Sequence, residues 1–402
     1  MQFGPWPKGL NTVSRDTELG VDELRAAVNV DITNAGRLVQ RGGSVRKYSG
    51  SDCHSIGPNL LFVEGVELKK LDPRTFAAAT LATGLTPGAR TVYEAVNDQI
   101  FWTNGYQSGR MDADFTNHPL GLPVPEVSTA APASGGQLAA GTYQVVLSYQ
   151  NAAGEESGTG LAAVVDGVPD NGAIAVTAIP QPPAGKGVTT INVFVSEANG
   201  TSCYWNGSVT VGTTTYAVTA TSSARRQARH RFLTAPPAGR LLTYRHGRLF
   251  IAEGPRLHWT EPLAYGLYDP ARNFLEMDSE IRVARAVTAG WWIVTEKRTY
   301  FLAGDDPGTA DLDPQAEYSA PLQMAIDIPK SNDIAWLSHR GWVIGTSDGE
   351  IQNMADDRVQ ATLASAWAPI TYRERNGIRQ FVGLAVGDAS RPVNAPGFND
   401  SL

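Results

Sequence analysis

The stretch "GWWIVTEKRTYFLAG", Gly290 to Gly304, is an alternating apolar strand, a charged turn and a second strand that ends in glycine. Nearly the same phrase recurs as "NLLFVEGVELKKLD", "NDQIFWTNGYQSGRMD", "HGRLFIAEGPRLHWTEP" and "RGWVIGTSDGEIQNMAD". Alternation with period two on both sides of a Gly, Asn or Asp turn reads as a β-hairpin. One hairpin cannot bury its own apolar face, so repeated copies have to stack on one another. The first strands start near residues 59, 98, 247, 290 and 340, which gives steps of about 39, 149, 43 and 50 residues. Three of these steps fall near the roughly 40 to 50 residues of a four-stranded propeller blade.

The long step has a different texture. It opens with the linker-like "PVPEVSTAAPASGG" and closes on "TAPPAG", both compositions of domain boundaries. Between them "AGTYQVVLSYQNAAGEESG", "GAIAVTAIPQPP", "TTINVFVSEANGTSCYW" and "GTTTYAVTA" read as successive strands separated by Gly and Asn turns. Residues 124–234 are therefore expected to form a β-sandwich of immunoglobulin or fibronectin III style, without the Cys, Trp, Cys spacing of antibody domains. Removing roughly 110 residues, a usual sandwich size, returns the long step to the repeat length.

The expected fold class is thus all-β: an irregular six- to seven-bladed β-propeller interrupted by an immunoglobulin- or fibronectin III-like β-sandwich. Residues 1–123 and 235–402 are the two parts of the propeller, and the termini of the insert must lie close together. Fainter half-copies in "GRLVQRGGSVRKY" and "GIRQFVGLAVGD" bring the five clear units to six or seven. The rival arrangement is a pair of stacked sandwiches with coincidental hairpins. Helix is expected only as connectors, for one or two turns in "DTELGVDELRAAVNVD" and again across 361–370.

With 41 glycines and 25 prolines, the composition favours short strands and tight turns. A formal net charge of −7 with interspersed signs argues against a dedicated nucleic-acid binder, although it suits a wall past which DNA slides without sticking. The two cysteines, Cys53 and Cys203, lie in different segments, so no disulfide framework is expected. Neither a signal peptide nor a run of about 18 apolar residues is expected from the sequence.

Chemistry-bearing motifs are weak. Asp305 and Asp306 in "GDDP" are adjacent, point in different directions and read as a turn. "HWTEP", with His258 and Glu261, matches no zinc signature, and His230, His246 and His339 are isolated. "TSDGEIQNM" departs from a sialidase Asp box and reads as a type I′ Asp-Gly hairpin turn. "DADF", Asp112 to Phe115, lacks the Gly and Glu positions of a calcium loop. No catalytic residue, metal ligand or cofactor is assigned. The one strongly basic run, "ARRQARHRF", carries Arg225, Arg226, Arg229 and Arg231. It is read either as a loop touching DNA phosphates or neighbouring subunits, or as a solvated linker. Trp102, Trp259, Trp291, Trp292, Trp336 and Trp342 fall in or beside the repeated strands and are expected to pack between blades.

The opening "PKGLNTVSRDTELGVDELRAAVNVDITNAGRLVQRGG" resembles the N-terminal pattern of tailed-bacteriophage virion proteins. The matching residues are Gly9, Leu10, Asn11, Leu24, Ala27, Asn29, Val30, Asp31, Gly36, Arg37, Arg41 and Gly42. "GRLFIAEGPRLHWTEPL", "WWIVTEKRTYFLAGDDP" and "IAWLSHRGWVIGTSDGEIQNM" agree with the same group, the propeller-bodied tail nozzle or tail hub proteins. The resemblance implies a non-enzymatic structural component of the virion tail, made in the host cytoplasm. It would assemble with itself in a ring, commonly a hexamer, docked to portal, adaptor and other tail or fibre proteins around passing genomic DNA. The alternatives are a receptor-binding or fibre-docking module and, behind it, a propeller glycosidase acting on cell-wall or surface glycans.

Overall fold

The computed structural model describes residues 5–8, 11, 13–27, 30–33, 35–40, 49–222, 225–354, 370–375 and 378–383. Every regular element among them is a strand. The chain divides into two compact units: residues 1–50, 252–257 and 275–402 form one, and residues 51–251 and 258–274 the other.

The strands gather into small sheets ordered along the chain. β1 (Val30–Ile32) and β2 (Leu38–Gln40) form a two-stranded antiparallel ribbon. β3 (Ser51–Ile56), β4 (Asn59–Glu64), β5 (Glu67–Leu71) and β6 (Ala78–Ala82) make a four-stranded meander, and β7 (Val92–Val96), β8 (Gln99–Thr103), β9 (Ser108–Met111) and β10 (Asn117–Pro119) make a second. After seven strands of different arrangement, β11 (Thr129–Leu138), β12 (Gly141–Asn151), β13 (Ala163–Val168), β14 (Gly172–Thr177), β15 (Val188–Ser196), β16 (Cys203–Thr210) and β17 (Tyr216–Val218), the meanders resume. They are β18 (Leu241–Arg245) to β19 (Arg248–Glu253), β20 (Arg256–Trp259) and β21 (Phe274–Glu276); β22 (Ile281–Val287) to β23 (Gly290–Thr295), β24 (Thr299–Ala303) and β25 (Asp311–Ala316); and β26 (Ala325–Asp327) to β27 (Ile334–Ser338), β28 (Gly341–Gly345) and β29 (Ile351–Asn353). A ribbon of β30 (Ile370–Arg375) and β31 (Ile378–Gly383) follows.

Four of the recurring phrases are the two middle strands of their sheets, beginning with β4, β8, β19 and β23, and the fifth is the third and outer strands of its sheet, β28 and β29. A middle strand is covered on both faces, which explains why these strands carry near-continuous apolar runs. All six residues of β23 are buried. Within each unit, neighbouring meanders share cores. Leu61, Val63 and Leu68 pack with Tyr93, Ile100, Trp102 and Met111; Val96 and Phe101 pack with Leu242, Leu249 and Ile251. In the other unit Trp292, Val294 and Phe301 pack with Ile334, Trp336 and Val343. The six singled-out tryptophans all lie in strands, and the Trp292 and Trp336 rings stand 5.8 Å apart at the shared face. Close packing of an indole needs a residue without a side chain beneath it: a Cβ at Gly109 would sit 2.5 Å from the Trp102 indole, and one at Gly345 would sit 2.6 Å from that of Trp292.

The third and fourth strands of several sheets are joined by an aspartate turn. The Asp72 carboxylate accepts from the Arg74 amide at 2.8 Å and its carbonyl from Phe76 N; the Asp112 carbonyl accepts from Phe115 N, and the Asp114 carboxylate from Thr116 N. Phe76 and Phe115 are left-handed at φ 57° and 69°. Phe115 is thereby turned back onto the preceding sheet, with the Lys70 ammonium 4.2 Å above its ring.

Residues 129–218 build two facing sheets, β11-β14-β17 and β13-β12-β15-β16. Alternate residues of both, among them Tyr143, Val145, Leu147, Ile174, Val176, Ile191, Val193 and Val218, form one core. The chain enters and leaves this module at neighbouring points. A Cβ on Gly160 would lie 2.3 Å from Pro125 O, and one on Gly158 would lie 1.7 Å from Leu233 O, so both junctions close against the same Gly-rich stretch.

Three local expectations are corrected. The segment from Asp16 forms turns instead of helix, because the Glu23 carboxylate accepts from Gly20 N and Asn11 Nδ2, both at 3.1 Å, and the Leu24 carbonyl accepts from Asn11 N at 2.9 Å. The linker-like stretch after Pro123 contains β11, whose main chain pairs with β14 from Thr129 onward; an edge strand tolerates Pro132, which has no N–H to give. At Asp348–Gly349 only the glycine has positive φ, and Gly349 N donates to Thr346 O, which makes a type I turn followed by a left-handed glycine instead of type I′. The helix expected across 361–370 lies almost wholly outside the described residues.

Candidate functional site

The most organised polar constellation outside the cores lies on the outer face of β12, β15 and β16. Strand alternation sends Val145, Leu147, Ile191 and Val193 into the sandwich, which leaves Val146, Ser148, Asn192 and Phe194 on the opposite face. That face would be open to solvent in a simple sandwich. Here the basic run covers it. Ala228 is sealed against Val146, Phe194 and Cys203, and the strap runs beside β16, where Trp205 N donates to Arg226 O at 2.7 Å and Ala228 N to Cys203 O at 2.9 Å. Further on, Thr159 N donates to His230 O at 3.0 Å, and Thr159 pairs in parallel with Arg231.

Beneath the strap is a connected hydrogen-bond network. The Glu156 carboxylate accepts from Arg226 Nη2 at 2.8 Å, from Asn192 Nδ2 at 3.2 Å and from the Ser148 hydroxyl. Asn192 Oδ1 accepts from Ser208 Oγ at 2.6 Å, and Ser208 Oγ in turn accepts from the Trp205 indole N–H at 3.1 Å. Ser148 and Asn192 are fully buried, so each would be costly without these partners. Burial pushes the Cys203 thiol up, while Arg231 pulls it down; both cysteines are free thiols.

The four arginines singled out from the sequence have three different fates. Arg226 is held by Glu156, with its guanidinium 5.8 Å from the Phe194 ring centre, and Arg225 lies 3.4 Å from Glu197. Arg231 donates to Thr201 O at 2.8 Å and lies over the Phe232 ring at 5.3 Å. Arg229 is exposed and makes no ion pair among the described residues. The run is therefore neither a loose linker nor a row of unspent charges: half of its arginines are neutralised by carboxylates of the same module. Sequence reasoning missed Glu156, Glu197, Ser148 and Asn192. The available signal was polar Ser148 and Asn192 spaced two from apolar Val146 and Phe194 on strands whose other face is wholly apolar.

A second cluster ties the module to the β7–β10 sheet. Arg110 of β9 pairs with Glu155, lies 3.6 Å from Asp112, and shares Asp112 with His118 at 2.9 Å. The remaining motif residues take ordinary places. Asp306 caps Gly308 N in an exposed turn, and His258 is buried with its ring edge-on to Tyr268. Among the described residues no group of three or more His, Cys, Asp or Glu side chains is placed to hold a metal ion, and no helix is long and apolar enough to cross a membrane.

No protein-family model matches this sequence, and no curated protein matches it. Among solved structures the chain is similar to the N-terminal domain of Nup159, at 10% identity and a TM-score of 0.29 over 83% of this chain and 72% of that one. It is also similar to BBS1N, solved in complex with ARL6DN, at 8% identity and a TM-score of 0.32 over 84% and 90%, and to Sqt1 of Saccharomyces cerevisiae, at 8% and 0.26 over 80% and 77%. At these scores none of them says what this chain does.

Proposed function

We propose that this chain is a structural component of a bacteriophage tail, a nozzle or hub protein, whose work is geometric. In this reading the five four-stranded meanders are blades of a propeller, the ribbons β1–β2 and β30–β31 are the two fainter units, and residues 124–234 are an immunoglobulin- or fibronectin III-like module inserted between blades. The observation that carries it is that, within each unit, neighbouring four-stranded meanders share a core: β3–β6 with β7–β10 and β7–β10 with β18–β21, and separately β22–β25 with β26–β29. Small twisted sheets packed in sequence make a rigid wedge-built body with loops on its rims, and copies of such a body set around an axis form a tube.

The N-terminal residues that carry the resemblance support the same reading, because they act on the backbone. Asn11 is 5% exposed and its Oδ1 accepts from the amides of Val13 and Ser14, while Gly36 lies against the main chain of Trp6 and Pro7 at φ 71°. Such residues set a chain path and need no substrate. DNA passing an acidic chain whose strap arginines are half neutralised would slide without being retained. The reading is tested by the mass of the purified full-length assembly and by labelling the protein in virions: ring-sized particles located in the tail are expected, and a strict monomer absent from particles would defeat it.

A further inference from the structure

We infer that the far end of the arginine strap, Arg229 to Phe232, is a docking surface for the Asp311–Asp313 segment of a second copy of this chain. The inference deepens the ring reading and rests on it. Two features of the strap are unexplained by the module itself. Phe232 is 63% exposed and sits at φ 66°, a conformation that is costly for a bulky residue and is kept only where the surroundings impose it. Its ring is held out in solvent under the Arg231 guanidinium, while the exposed Arg229 side chain makes no ion pair among the described residues. The stretch that pairs with the strap carries Leu161, 69% exposed, two residues past the Thr159–Arg231 bridge. One exposed cation, Arg229, with the apolar side chains of Phe232 and Leu161 nearby, therefore faces outward from a chain whose net charge is −7, while Arg231 is turned to Thr201 O.

The complementary pattern is present in the same sequence. Strand β25 is the outermost strand of its sheet, and its first three residues are Asp311, Leu312 and Asp313. All three are exposed, Leu312 by 37%, and neither carboxylate forms an ion pair among the described residues. In extended chain, residues two apart share a face at a spacing of roughly 6.5 to 7 Å, so Asp311 and Asp313 set two carboxylates on one face of the edge strand for the Arg229 guanidinium, and Leu312, on the other face of the same edge, is the apolar counterpart of Phe232. Charge pairs at such a contact fix register and exclude wrong partners, and the apolar anchors supply the buried centre. Because the donor and acceptor patches are different surfaces, the contact is heterologous, which is the type that builds rings.

Sedimentation velocity on the full-length chain tests this. Wild-type protein is expected to self-associate. Arg229→Glu, Phe232→Ser, Asp311→Arg and Leu312→Ser should each weaken association about tenfold or more, and Arg229→Glu combined with Asp311→Arg should recover most of the loss. All four side chains are exposed, and tryptophan fluorescence verifies that each variant remains folded. Association that is indifferent to the single changes, or reversals that do not rescue each other, would overturn this interface while leaving the ring reading standing. A wild-type chain that stays monomeric at every concentration would overturn both.

Discussion

The Arg226 guanidinium lies 2.8 Å from the Glu156 carboxylate, and through that one contact the basic strap is joined to two buried polar residues of neighbouring strands, Ser148 and Asn192. An exposed arginine in a charged run would ordinarily be a solvated side chain. Here it is the outer end of a network that begins on the hidden face of a sheet.

Glu156 is accordingly the sensitive member. Glu156→Ala leaves the Ser148 hydroxyl without its acceptor and takes one acceptor from the Asn192 amide, which keeps Gln150 Oε1, and should lower unfolding stability by about 1 to 3 kcal/mol. Arg226→Ala, whose side chain is 45% exposed, should cost less than about 1 kcal/mol. Urea midpoints of the two variants, followed by tryptophan fluorescence, are expected to fall in that order. Equal losses would show that the arginine carries the network.

Hydrogen exchange should separate the strap from the module beneath it. In Arg226→Ala the amides of Trp205 and Ala228, which bond to and from the strap, should exchange faster, whereas those of β12 and β15 keep wild-type protection. Faster exchange throughout β12 would mean that strap and sandwich open as one body.

Gly345→Ala should destabilise by about 1 to 3 kcal/mol, because the added methyl group meets the Trp292 indole at 2.6 Å and that ring is fully buried against Trp336. Trp292→Ala should cost about 3 to 5 kcal/mol by leaving a cavity between two sheets. The combined change should cost less than the sum, since the smaller residue at 292 makes room at 345. Calorimetry of the three variants measures this, and strict additivity would contradict the contact.

The aspartate turns set the acid limb of stability. Burial pushes the Asp269 carboxyl up, but the Ala271 amide and Arg272 guanidinium outweigh it and hold the group below its usual value. Hydrogen bonds from the Arg74 and Thr116 amides likewise lower Asp72 and Asp114. A carboxyl depressed in the folded state contributes stability above its unfolded pKa, near 3.9, and that contribution disappears as pH falls through the folded value. The midpoint of urea unfolding should therefore drop between about pH 5 and pH 2, and Asp269→Asn should flatten that drop while lowering the midpoint at neutral pH. An unchanged acid slope would show that Asp269 is not among the groups responsible.

The five hairpins were legible because a middle strand has apolar neighbours on both sides, and so its composition records its burial: "WWIVT" and "LLFVE" can be read directly. Outer strands outside those hairpins were not legible. β6, "AATLA", and β25, "DLDPQA", are held by main-chain bonds to one neighbour, and their side chains carry almost no pattern. β11 was hidden for the same reason, as its Ala, Pro, Ser and Gly residues look like a linker until β14 is beside it. The expected helix at Asp16 failed because apolar spacing alone does not weigh the pull of Asn11 and Glu23 on the backbone.

Local periodicity and turn chemistry, which act over a few residues, thus determined from the sequence alone that this chain is built of short strands in repeated hairpins with a different β module between them. Which residues of the basic run are neutralised and which remain exposed was decided only in three dimensions, because Glu156 and Arg226 are 70 residues apart and meet only once the sheet beneath them exists.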